Sequence, residues 1–299
     1  MSHQFEHPAG VVLLEEIRSL FRTKAIFRVT ARPIVFVCGG PVQGEPKTLR
    51  NQFLQWLRSE LPDLLVVLAE DAFKYTYLHD PPETVNLSTF ETIIAEVSDC
   101  VIIFLESCGS FAEIGYFSGT RDVSRKILVV NDPKYQATDS FANLGPISTI
   151  DRKSFLSPTI HIDPTAAVPD FSPVKQRLSR ILERPHRKRF KWAPYVQLEQ
   201  KDKFLVSLQM VSILRLVSFD GLRHSIKAVF DGSSPKELKR LVSVLLAAGY
   251  LRPKNDYFEL VPGRAALLQF DDTDLNSLTA RVLYYYQRHQ REVFRSISA

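Results

Sequence analysis

The sequence predicts an α/β protein: a parallel-sheet sandwich followed by a smaller, mostly helical domain. Three observations carry this. Short runs that are apolar at every position recur at Ile34–Cys38, Leu64–Ala69 and Cys100–Leu105, and a fourth, Ile127–Val130, lies within the strand expected over Lys126–Asn131, as strands buried on both faces of a parallel sheet require. Segments with helical spacing alternate with those runs, which implies right-handed crossovers. Charge then changes sign along the chain: residues 1–174 carry 15 Lys/Arg against 21 Asp/Glu, and residues 175–299 carry 23 against 12. An acidic first part and a basic second part imply two domains, the second facing a polyanion.

The elements follow in order. Residues 9–30 read as a helix with Val12, Leu13, Ile17, Leu20 and Phe21 on one face. Strand Ile34–Cys38 ends in Gly39-Gly40-Pro41, where glycines let backbone amides approach a ligand, often a phosphate. A dinucleotide fingerprint would need a third, spaced glycine. Thr48–Leu61 is an amphipathic helix. Leu64–Ala69 is the next strand and ends in Glu70-Asp71, which read either as a helix cap with a solvated carboxylate or as acids beside a pocket. Residues 74–86 form a polar, proline-containing loop, a candidate lid. Leu87–Val97 is a helix.

The central stretch runs from Asp99 to Ser118. After strand Cys100–Leu105 come Glu106-Ser-Cys-Gly-Ser110, a turn signal, and a helix carrying Phe111, Ile114 and Phe117. Ligands of open α/β sheets sit where strands end and helices begin. Glu106, Ser107, Gly109, Ser110 and Glu113 fall there. Ser110-x-x-Glu113 also has the form of a capping box. A carboxylate in that place is also free to attack an electrophilic sugar carbon, and the spacing does not separate the two readings.

Residues 131–172 are loop-rich, with a short strand near 159–162. The expected partition is a first domain over 1–172, a basic linker over 173–202 and a second domain over 203–299. The linker holds Arg187, Lys188 and Arg189 interleaved with Phe190 and Trp192, a solvated run or a nucleic-acid backbone contact. In the second domain helices are expected over 204–219, 222–230 and from Pro235 to Ala248, followed by a hairpin near 250–261. Three helices and a hairpin make a winged-helix pattern, with Lys236, Lys239, Arg240, Arg252 and Lys254 on the elements that meet nucleic acid in such proteins, although others of this pattern bind protein. A last helix over 275–294 carries an aromatic stripe suited to packing. Cys38, Cys100 and Cys108 show no zinc spacing. No metal is implied, no apolar run approaches membrane-spanning length, no apolar leader opens the sequence, and the cysteine usage suits a reducing cytoplasm.

The stretch Glu106-Ser-x-Gly-Ser-x-x-Glu113-x-Gly resembles the nucleoside 2-deoxyribosyltransferase family, a Rossmann-like sandwich. That resemblance implies Glu113 as nucleophile, Glu106 in the place of a family aspartate, and Asp71 as an acid holding sugar or base. Together with Phe36-Val-Cys-Gly-Gly40, Glu70-Asp71-x-Phe73, Leu87–Glu96 and Ser140-Phe-x-Asn-x-Gly-Pro146, it resembles the effector proteins of bacterial retrons, in which such a domain precedes a winged helix. The catalytic set implied is Glu113, Glu106 and Asp71, with Cys38, Gly39, Gly40, Glu70, Ser107, Gly109 and Ser110 around the substrate. The implied activity is N-glycosidic cleavage in phage defence. The implied partners are a reverse transcriptase and its RNA-linked single-stranded DNA (msDNA), in an oligomeric complex. No cofactor is implied; NAD⁺ enters as substrate, because nicotinamide leaves without protonation and no first-domain histidine (His79, His161) is placed to protonate a purine. The alternatives are a nucleotide-sensing DNA-binding regulator and a docking protein without turnover.

Overall fold

The computed structural model of the protein describes residues 4–29, 32–41, 48–62, 64–77, 86–182, 188–271 and 275–298. The chain divides into two compact units, one made of Arg32–Asp71 and Pro81–Pro185, the other of Met1–Ala31, Ala72–Asp80 and His186–Ala299. This partition differs from the expected boundaries at 172 and 202. The N-terminal helix Pro8–Thr23 belongs with the C-terminal unit, where Phe21 packs edge-on against Phe230 and Phe270.

The first unit is built on five parallel strands in the spatial order Leu65–Val67, Ile34–Cys38, Cys100–Phe104, Ile127–Asn131, Ile160–His161. Every residue of the three strands Ile34–Cys38, Cys100–Phe104 and Ile127–Asn131 is buried, which is why they read as uninterrupted apolar runs. Helix Leu49–Glu60 packs on the face that carries Val35 and Val37, with Phe53 5.2 Å from Phe104 between ring centres. Helix Cys108–Gly119 lies on the other face, Phe117 against Phe36 at 6.4 Å. The helices that leave the neighbouring strands Ile34–Cys38 and Cys100–Phe104 therefore depart to opposite sides. The carboxyl ends of those two strands are thus the switch point of a doubly wound sheet, the place where ligands of such sheets bind.

Several expectations change here. Residues 74–77, expected to open a loop over 74–86, instead end a helix that begins at Ala69 and runs to Tyr77, so Glu70 and Asp71 occupy a first helical turn. The candidate lid lies largely outside the described residues. Residues 173–202 are not a linker throughout: helix Ser172–Leu182 buries Val174, Leu178 and Ile181 in the sheet core, and Lys188–Phe190 is a strand.

In the second unit the expected helix over 9–30 stops at Thr23, and Ile26–Arg28 becomes the middle strand between Leu268–Phe270 and Lys188–Phe190. Helices Gln200–Leu214, Phe219–Phe230 and Pro235–Ala247 follow, with strand Leu216–Ser218 between the first two. That strand was expected as helix; Arg215 at φ 66° breaks it away. It joins the hairpin Leu251–Lys254 and Tyr257–Leu260 in a three-stranded antiparallel sheet. The last expected helix is interrupted at Gln290, giving Leu275–His289 and Arg291–Ser298. Its aromatic stripe is a packing face: the Tyr286 hydroxyl donates to the carbonyls of Leu214 and Leu216, and that of Tyr285 to Gln4. Among the described residues no helix is long and apolar enough to cross a membrane.

Candidate active site

The helix that carries Glu113 starts one turn earlier than the Ser110-x-x-Glu113 box requires. Ser107 is its N-cap and accepts from the Ser110 amide at 3.1 Å, while Ser110 Oγ accepts from the Ser107 amide at 3.1 Å and the Glu106 amide at 3.2 Å. The capping box is Ser107-x-x-Ser110. The sequence offered Ser110-x-x-Glu113 as the box, and the structure instead uses one a turn earlier, built of serines. Glu113 thus sits in the second turn and caps nothing.

Glu106 has a different job. Its Oε1 accepts from the amides of Gly40 at 3.0 Å and Arg50 at 3.1 Å, and its Oε2 from Leu49 at 2.7 Å. A carboxylate on the first amides of helix Leu49–Glu60 satisfies orphan donors and complements the helix dipole. The Gly39-Gly40 turn is drawn into the same knot. A Cβ at Gly39 would lie 3.0 Å from Glu106 Oε1 and from the Arg50 side chain, and one at Gly40 2.8 Å from Thr48 Cγ2. These glycines are required by packing, and the Gly40 amide is committed to Glu106 rather than to a phosphate.

Arg50 is the organising cation, and the sequence analysis missed it. Its side chain is buried; Nη1 donates to the Gly40 carbonyl at 3.0 Å and Nη2 sits 3.0 Å from both oxygens of Glu70. The only trace in the sequence was an arginine on the first turn of an apolar-faced helix, which ordinarily points to solvent.

Around this cation lie Glu70, Glu91, Glu113 and the Cys38 thiol. Burial pushes the Glu113 carboxyl above its ordinary range; the Arg50 charge and a hydrogen bond from the Cys38 thiol oppose that, and Glu70 adds to it. Glu113 Oε2 is buried with no hydrogen-bond partner among the described residues. Burial, then the charges of Glu113 and Glu70, push Glu91 up to about 7 against the pull of Arg50. The Cys38 thiol is raised well above its ordinary value, by burial first and then by Glu113, so it remains a donor and not a thiolate nucleophile. Glu91 too was missed. It lies on helix Leu87–Val97, which is tied to helix Cys108–Gly119 by a 3.1 Å hydrogen bond between Thr92 and Tyr116, next in sequence to Glu91 and one turn beyond Glu113. One carboxylate with an unsatisfied oxygen, a second that exchanges its proton near neutrality and a fixed cation form an arrangement suited to covalent catalysis with acid–base assistance.

The other expected residues scatter. Asp71 is half-buried in the turn beside Glu70. Ser110 is fully buried in the cap. Gly109 is exposed, and a Cβ there would meet nothing nearer than Ser107 Oγ at 3.7 Å. His79 lies outside the described residues. Among the described residues no group of three His, Cys, Asp or Glu side chains is arranged to hold a metal ion.

In the second unit Lys236 is exposed, and Lys239 and Arg240 are half-exposed, on helix Pro235–Ala247; Lys239 Nζ lies 5.9 Å from the Phe219 ring centre. Arg252 Nε donates to Glu259 at 2.6 Å and Lys254 lies 3.9 Å from the same carboxylate, so the hairpin's cations are largely neutralised. Lys188 and Arg189 are exposed on an edge strand; Arg187 lies outside the described residues. Phe190 is buried, and Trp192 donates to the Val229 carbonyl at 3.1 Å beneath the Arg22 guanidinium. These two aromatics are core and brace, not a stacking platform.

The fold is that of a doubly wound α/β protein with an acidic cluster at its switch point, joined to a helical unit with a hairpin. The chain belongs to the STM3845 retron effector protein family, whose model matches residues 46–253, more than half of the sequence. The Escherichia coli "Retron Ec73 putative ribosyltransferase/DNA-binding protein" is 32% identical over 124 residues, 41% of this chain and 39% of that one. The "Retron Ec86 putative ribosyltransferase/DNA-binding protein" of the same species is 34% identical over 113 residues, 38% and 36% of the two chains. The chain therefore matches less than two-fifths of the length of these curated relatives.

Proposed function

We propose that the protein is a retron anti-phage effector with N-glycosidase activity, cleaving the nicotinamide–ribose bond of NAD⁺ or of a related nucleotide through Glu113. The observation that carries this reading is the buried, unpartnered Oε2 of Glu113 at the switch point. The family and the ribosyltransferase names of the relatives agree with it.

In the first step a Glu113 oxygen bonds to C1′ as the C1′–N bond breaks, through an oxocarbenium-like transition state. The electron pair leaves with the pyridinium nitrogen, so nicotinamide departs neutral and needs no acid. Water then attacks C1′, the glycosyl ester breaks, Glu113 regains its charge, and Glu91 takes the water's proton. Arg50 and the Cys38 thiol favour the ionised Glu113, and a cationic substrate favours it further. Glu106, held by three amides, positions the Gly39-Gly40 turn and Arg50 rather than touching the reacting carbon. Glu91 is also a proton donor for a neutral purine, so the preference for NAD⁺ over purine nucleosides that rested on histidine placement loses its ground.

The helix, strand, two helices and hairpin of the second unit read as a winged helix, the part that engages a reverse transcriptase and msDNA. The test is base release from NAD⁺ and from nucleosides by wild type, Glu113→Gln and Glu91→Gln, with and without those partners. Nicotinamide release lost in Glu113→Gln supports the reading. Release that survives in Glu113→Gln refutes the nucleophile, and no release from any substrate favours a nucleotide-sensing regulator or docking protein. Loss of purine release alone in Glu91→Gln assigns it the leaving-group proton.

A further inference from the structure

We propose that the two C-terminal helices form a seat for the phosphate backbone of a single-stranded nucleic acid, centred on Arg288, Arg291 and Arg295. Helix Leu275–His289 ends before Gln290 and helix Arg291–Ser298 follows it. An open groove of about 600 Å³ is lined by Gln287, Arg288, Arg291, Phe294 and Arg295 from the two helices. All three arginines are exposed, and no acid lines the groove. Helix Arg291–Ser298 holds one acid, Glu292, whose charge acts on Tyr257.

The contrast with the hairpin disfavours that element as the seat. Arg252 and Lys254 share Glu259, whereas among the described residues Arg291 and Arg295 have no ion-pair partner, and Arg288 bonds only the Tyr284 hydroxyl. Unneutralised arginines on a concave surface fit a chain of phosphates, which they can grip bidentately. A positively charged groove that tracks the backbone is how single strands are held, and a single strand is the occupant the groove is assigned. The inference assigns a place to the nucleic-acid contact of the proposed function, but it stands on its own charges and is tested without turnover.

The experiment is fluorescence anisotropy of a labelled 12-nucleotide single strand with the full-length chain over a series of salt concentrations. Wild type is compared with Arg288→Glu/Arg291→Glu/Arg295→Glu, with the same three positions as Lys, and with Lys236→Glu/Lys239→Glu/Arg240→Glu. Three phosphate contacts on a single strand contribute a slope of about −2 in log affinity against log salt. The Glu variant is expected to lose about that slope and at least tenfold in affinity at 0.1 M salt, while the Lys variant keeps the slope. Unaltered melting of each variant excludes a folding effect. An unchanged affinity and slope in the Glu variant, no binding by wild type, or equal binding of polyglutamate overturns the proposal. Loss of glycosidase activity in Glu113→Gln with single-strand binding intact separates the two claims.

Discussion

Glu106 Oε2 stands 2.7 Å from the amide nitrogen of Leu49, and its other oxygen serves Gly40 and Arg50. An amide side chain at 106 would turn one of these acceptors into a donor facing donors. Glu106→Gln should therefore lower stability by about 2 kcal/mol, the order of a lost charged hydrogen bond plus an unsatisfied group. Urea unfolding checks it. Glu113→Gln, which takes no backbone hydrogen bond from the described residues, should unfold at or above the wild-type midpoint while losing activity.

The two glycine turns should separate cleanly. Gly40→Ala places a methyl 2.8 Å from Thr48 Cγ2, and Gly39→Ala one 3.0 Å from Glu106 and Arg50. Each should cost about 1–3 kcal/mol, the range for overpacking. Gly109→Ala, inside a helix with open space around it, should be neutral or gain up to about 1 kcal/mol. Thermal melts of the three variants decide this, and a loss of turnover without a loss of stability at Gly109→Ala would mark the place where substrate approaches the backbone.

Glu91 ties stability to pH. An acid whose folded value is raised to about 7 keeps its proton in the fold while the unfolded chain has already released it. Stability contributed at low pH is then lost as pH rises from about 4.5 to about 7, and is flat beyond. Allowing for solvent at this part-exposed group, the loss is about 1–2 kcal/mol. Wild type should weaken relative to Glu91→Gln across that window in pH-dependent unfolding. An opposite slope would mean that Glu91 is charged in the fold.

The Cys38 thiol lowers the Glu113 carboxyl by donating to it. Removing it in Cys38→Ala should raise Glu113 further and move the acidic limb of the kcat/KM profile to higher pH. The variant should lose more activity at pH 6 than at pH 8.5. A uniform loss at both would make Cys38 a packing residue only.

Much of this site was legible in the sequence because strand ends announce themselves: continuous apolar runs stop at Cys38, at Leu105 and at Asn131, and the residues that follow must lie at one edge of the sheet. Glu113 was visible on that ground. Its freedom was not, because Ser107-x-x-Ser110 and Ser110-x-x-Glu113 overlap and only folding selects one. Arg50 and Glu91 were invisible for another reason. Each looks like the polar side of an amphipathic helix, and only the divergence of the helices at the switch point turns that side inward. The strands Ile26–Arg28 and Leu216–Ser218 failed to show because three residues are too few for a period; their partners lie far along the chain, and tertiary pairing overrode the local helical pattern.

The pairing of Ile26–Arg28 with Leu268–Phe270 also sets a timetable. At about 5–20 residues per second, the first helix and strand leave the ribosome roughly 12–50 seconds before their last partner exists. Throughout that interval Leu13, Leu14, Ile17 and Phe21, all buried in the finished protein, have no core to enter, whereas Arg32–Asp71 and Pro81–Pro185 can close around their own sheet. The nascent chain thus holds its parallel-sheet unit complete while residues 8–28 still wait, and chaperone binding in the cell should concentrate on that segment.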